Sequence, residues 1–214
     1  MKNTIFILLI FLVMTGFDFP VKERVYITDE NTDKRFLELI NEYRAYYKLP
    51  EFKWNKTAYK MAKHHTEYQF LAKTVTHYET LDFENFNEIL GIVDRANFFN
   101  LNYKNCVGCN LFGECVVGGT TTLELSSEMD YAKFVKQVFN KDVLECNPID
   151  RIVYESIWKW EISPTHKEVL LEKYTECGFS IKYVKPDVFE KSIFHEGRPT
   201  QRNRFYATLN TVLK

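Results

Sequence analysis

An excess of charge of either sign is the first thing this chain lacks. Its 28 Lys and Arg nearly balance 29 Asp and Glu, for a formal net charge of −1. Nothing in that balance argues for nucleic acid or an anionic membrane surface as partner. Glycine and proline are sparse, at 8 and 6 of 214 residues. No internal repeat, low-complexity tract or interdomain linker interrupts the chain, so it reads as one globular domain with a sizeable core. Standard catalytic signatures are also missing. The run His64-His65-Thr66-Glu67 is not the H-E-x-x-H pattern that puts two zinc ligands on one helical face. There is no G-x-S-x-G elbow, phosphate loop or dinucleotide fingerprint.

Long apolar runs are confined to the N-terminus. Lys2 precedes ten apolar residues, Ile5 to Met14, a run too short to span a bilayer and matching the hydrophobic part of a secretory signal. Residues 1–20 are therefore expected to be a signal peptide, with the mature chain exported and free of a transmembrane span. Five cysteines, Cys106, Cys109, Cys115, Cys146 and Cys177, then imply up to two disulfides and one spare thiol. The C-x-x-C of Cys106 and Cys109 is half of a zinc site, but no second half follows it. A disulfide-tied loop is the expectation there.

What is abundant is aromatic: 18 Phe, 13 Tyr and 3 Trp. From Asp33, Phe36, Ile40, Tyr43 and Tyr47 recur at helical spacing. A second helix is predicted over 56–72, capped by Asn55 and carrying Ala58, Met61, Ala62, His65 and Tyr68 on one face. A strand opens after Gly113, and helices are predicted over 127–142 and 150–160. Ser163 and Pro164 then start a further helix, with Val169, Leu170 and Tyr174. Two closing strands, 176–184 and 205–212, form a long hairpin. The stretch between the second helix and the Gly113 strand reads as irregular. This order predicts an α+β layered domain.

The histidines divide by context. His65 lies on the apolar face of the second helix and reads as a core residue. His64 points away and reads as solvated, and His195 falls in the polar hairpin loop. His77 and His166 each stand at a loop or helix edge near an acidic residue, which makes them candidates for a shared site.

These pieces resemble one family. Asn41 and Arg44 make an N-x-x-R signature on the first helix, followed by Trp54, Ala58, Ala62 and His65 on the second. His77 follows, then "GECVVGG" with Glu114, where Cys115 replaces the usual asparagine. Trp160, Ser163, Pro164 and His166 make a W-x-x-S-P-x-H entry of bacterial type, and "CGFSIKY" and "FYATLNTVL" match the last strands. Over residues 34–214 the chain resembles the CAP superfamily of cysteine-rich secretory, antigen 5 and pathogenesis-related proteins, also called SCP-like.

The resemblance implies a three-layer α-β-α sandwich, with extra segments near Asn85–Asn105 and Leu123–Asn147. It implies that His77, Glu114 and His166 converge in a central cleft, where they could hold a divalent metal such as zinc. The family's usual fourth carboxylate is replaced by Ser163, with Glu161 and Glu155 as the substitutes to locate. The implied role is a secreted or cell-envelope protein, non-catalytic, binding a metal, a lipid or sterol, or a protein partner. The alternative is a metal-assisted hydrolase using His77, Glu114 and His166.

Overall fold

A computed structural model of the protein describes residues 24–27, 30–80, 91–101, 112–122, 128–185 and 202–213. Residues 1–20, Cys106, Cys109 and His195 lie outside them, as do parts of both extra segments. The first helix, α1 (Glu30–Tyr46), begins ahead of the predicted Asp33, with Glu30 and Asp33 in its first turn, where the helix dipole favours acidic residues. Its apolar stripe of Phe36, Leu39, Ile40 and Tyr43 is wholly buried. Helix α2 (Lys56–Ala72) has the predicted bounds, and Asn55 caps it by accepting from the backbone N–H groups of Thr57 and Ala58.

The sheet contains β1 (Arg24–Ile27), β3 (Phe112–Thr122), β4 (Glu176–Lys185) and β5 (Arg202–Val212) in the order β1-β4-β5-β3. The two-residue β2 (Lys53–Trp54) pairs with β4 in parallel. β4 and β5 pair antiparallel, as the predicted hairpin requires. Both faces of β4 are covered, since Cys177 to Tyr183 are all buried. Helices cover both faces. On one, Phe36 stacks on Phe179 with ring centroids 3.7 Å apart, and Trp160 meets both rings edge-on. On the other, Gly178 lies so close to α2 that a Cβ there would sit 2.0 Å from the Tyr59 backbone nitrogen. Gln69 of α2 donates to Thr208 of β5 from the same side. The fold is thus an α+β sandwich.

The remaining helices are α3 (Ile92–Phe98), α4 (Glu128–Phe139), α5 (Pro148–Glu161) and α6 (Pro164–Leu171). Helix α3 lies inside the stretch read as irregular, since seven residues are too few to display a period. Asp94 accepts from the Gly91 N–H at its start. Helix α4 stops short of the predicted 142 because Asn140 takes a left-handed φ of 52°, a common way to end a helix. Helix α5 starts early, capped by Asn147 with Pro148 in the first turn. Helix α6 leaves out Tyr174, which is buried in the bend before β4. Ser163 holds the cap position of α6 but accepts no capping hydrogen bond there. No helix among the described residues is long and apolar enough to cross a membrane.

Candidate functional site

β3 is the last strand in the sheet order, so residues from both helical layers can meet around its outer side. His77 arrives from the segment after α2, on one layer, and His166 from the first turn of α6, on the other. Their Nε2 atoms face each other at 3.4 Å. Glu114 of β3 stands behind His77, with its Oε1 3.0 Å from His77 Nδ1. All three sequence candidates therefore come together.

Local sequence explains each placement. The Trp160 indole N–H donates to the Val116 carbonyl at 3.1 Å, pinning the end of α5 to β3 beside Glu114. The Ser163-Pro164 corner then turns the chain into α6 and brings His166 back toward β3. There the backbone carbonyl of His166 lies 3.6 Å from Cys115 Sγ. The N-x-x-R signature acts from the opposite end of α6. Arg44 is buried over the Phe52 ring and donates to the carbonyls of Leu170 and Glu172, satisfying the acceptors that a helix C-terminus leaves unmatched. Asn41 exchanges two hydrogen bonds with the Phe52 backbone, fixing the loop that leads to α2.

The electrostatics are dominated by an arginine that the sequence reading passed over. Arg95 of α3 is fully buried, and its guanidinium donates through Nη2 to Glu114 Oε2 and through Nη1 to Glu79 Oε1 at 3.2 Å. Burial raises the Glu114 carboxyl, but the Arg95 charge and the His77 hydrogen bond outweigh it and leave the group below its ordinary value. An ionised carboxylate only accepts, so His77 donates from Nδ1, and its Nε2 is the nitrogen turned toward His166. His166 is held below the ordinary histidine value by burial and by His77, which favours its neutral ring.

Other candidates fall elsewhere. His65 is a buried core residue as expected, bonded to Glu79 Oε1 at 2.8 Å and to the Thr76 carbonyl at 2.6 Å. His64, read as solvated, is instead half-buried against Phe98 and Phe99, because α3 covers that side of α2. Glu161 does not substitute for the missing carboxylate: it accepts from Tyr43, Tyr47 and Lys167. Glu155 pairs with Lys159. Cys115, Cys146 and Cys177 are free thiols, while Cys106 and Cys109, where the disulfide-tied loop was expected, lie outside the described residues. Burial and the adjacent Glu114 push the Cys115 thiol well up, away from the thiolate a nucleophile needs. No group of three His, Cys, Asp or Glu side chains suited to a metal occurs among the described residues. Glu114 spends its oxygens on His77 and Arg95, leaving two imidazole nitrogens open to a cation.

The comparisons with known proteins agree with this architecture. A family model described as "Cysteine-rich secretory protein family" matches residues 37–194, and the chain belongs to that CAP family. No curated protein matches. Among solved structures, an outer surface protein of Borrelia burgdorferi is similar at 16% identity and a TM-score of 0.50, over 89% of this chain and 100% of that one. An extracellular protein containing an SCP domain, from Bacillus anthracis, is 16% identical with a TM-score of 0.49. That match covers 86% of this chain but 41% of the other. A cysteine-rich secretory protein of Staphylococcus aureus is 15% identical with a TM-score of 0.40, over 85% of this chain and 38% of that one. The chain thus spans about two-fifths of the length of the Bacillus and Staphylococcus proteins.

Proposed function

We propose that the protein is an exported, non-catalytic binding domain that holds a divalent cation such as zinc between Nε2 of His77 and Nε2 of His166. The observation that carries the reading is their 3.4 Å separation. That is long for a hydrogen bond between ring nitrogens. It matches the edge of a tetrahedron with metal–nitrogen bonds of about 2.0–2.1 Å, which places ligand nitrogens about 3.3 Å apart. The carboxylate behind His77 supports the same reading, because metal-bound histidines commonly donate their other N–H to such a group. Bound there, a cation would supply a Lewis-acidic point with coordination positions left for a ligand.

The ligand class that fits is a lipid, a sterol or a protein segment. Val75 and Tyr78, exposed at 45% and 62%, bracket His77 in sequence and offer apolar surface next to it. The side chains tell against a hydrolase: Glu114 is committed to His77 and Arg95, and Cys115 is a buried, protonated thiol. Export to the outside or the cell envelope rests on the run Ile5–Met14. The outer-surface description of the Borrelia burgdorferi structure agrees with it.

The test is calorimetric titration of zinc into the mature protein and into His77→Ala and His166→Ala. Binding by the parent that falls at least tenfold in each variant is the expected result. A parent that takes up no zinc, or variants that bind as it does, would end the metal reading.

A further inference from the structure

His77 sits in a segment without regular structure, yet that segment is anchored by hydrogen bonds. They lie on either side of His77. Before it, the Thr76 carbonyl meets His65 Nε2 at 2.6 Å. After it, Glu79 is buried to 2% exposure and meets His65 Nδ1 at 2.8 Å and Arg95 Nη1 at 3.2 Å. The Thr80 N–H donates to the Tyr68 hydroxyl at 2.9 Å. Arg95 joins this clamp to the carboxylate that orients the His77 ring, since its other nitrogen donates to Glu114.

We infer that Arg95 is a positioning residue for the cleft, gripping with one guanidinium both the backbone turn that carries His77 and the carboxylate that sets its ring. The fork geometry of arginine is what the task needs. Two carboxylates on different elements, Glu79 in the turn and Glu114 on β3, are held at fixed relative positions by a planar group with several donors. Lysine would bring the same charge to a single point and could not hold both at once with defined angles. The placement is costly, since a fully buried cation survives only with its partners in place. Its Nε has no hydrogen-bond partner among the described residues. A side chain kept only for packing would not need this arrangement, whereas one that fixes two carboxylates would.

The inference deepens the cation-binding reading and rests on it for what the positioning serves. The test therefore uses one readout that needs no metal. In metal-free full-length mature protein, the ring ¹⁵N signals of His77 report which nitrogen carries the proton. Arg95→Lys keeps the buried charge and loses the fork, and Glu79→Gln weakens the grip on the turn without touching Glu114. In both, the His77 signals are expected to move from a single Nδ1–H tautomer toward a mixture. Zinc affinity is expected to fall about 10–100-fold, as when an outer-shell partner is lost. His77 ring signals unchanged from the parent in a folded Arg95→Lys protein would overturn the inference. If the parent binds no zinc but the ring signals move, the metal reading fails and Arg95 keeps its positioning role.

Discussion

Glu79 is where the residue scale is most informative. Burial by itself raises its carboxyl, but the His64 ring 3.4 Å away, the hydrogen bond from His65 and the Arg95 charge bring it down to about 2, against an ordinary 4.5. A carboxyl depressed in the folded state stabilises the fold above its ordinary value, and that contribution is lost as pH falls from about 4.5 toward 2. Glu79→Gln is therefore expected to cost about 3 kcal/mol at neutral pH, the usual loss when one partner of a buried ion pair is removed. It should also flatten the fall in stability between pH 5 and 2. Urea melts of parent and variant across that range would check both statements, and an unchanged acid limb would contradict them. Read from sequence, Glu79 was only an acidic neighbour of His77; its pairing with Arg95 and His65 depends on contacts that no local pattern encodes.

At the scale of elements, the sandwich depends on how closely α2 lies on β4. Gly178 makes that approach possible, and any Cβ there would press on the backbone of Ala58 and Tyr59 rather than on a movable side chain. Gly178→Ala is expected to destabilise the protein by about 3 kcal/mol, the upper end of ordinary overpacking, because helix backbone cannot yield locally. A thermal melt decides this, with a change under 1 kcal/mol counting against the packing argument. The long elements were legible because their signals are local. Asn55 caps its own helix and Phe36, Ile40 and Tyr43 mark their own face. Helix α3 was not, since its seven residues are held by burial of Arg95 and Ala96 rather than by a periodic stripe.

For the whole molecule, the free thiols report how the core is closed. Cys115 and Cys177 are fully buried, on β3 and β4, and burial pushes both thiols upward. Cys146 lies partly exposed ahead of α5. Iodoacetamide labelling followed by peptide mapping should modify Cys146 in the native protein. Cys115 and Cys177 should react only at the rate of global unfolding, because no smaller opening exposes the sheet interior. Native labelling of Cys177 as fast as Cys146 would show that the α1 and α5 layer lifts from the sheet on its own.

The sequence by itself determined the elements with strong local period, the order of its motifs and hence the family, and the three side chains that meet beside β3. His77, Glu114 and His166 were readable because each belongs to a short motif with its own neighbours. Only the tertiary structure decided what each of them does there. Glu114 stands behind His77 instead of joining the two open nitrogens, Glu161 turns away to Tyr43, Tyr47 and Lys167, and Arg95 supplies the buried charge between Glu79 and Glu114. Residues 79, 95 and 114 lie on three separate segments, and their meeting is set by how the layer of α2 and α3 closes on the edge of the sheet. Helical and strand periods report which way a side chain faces along its own element; they carry no information about which charge from another layer will be waiting there.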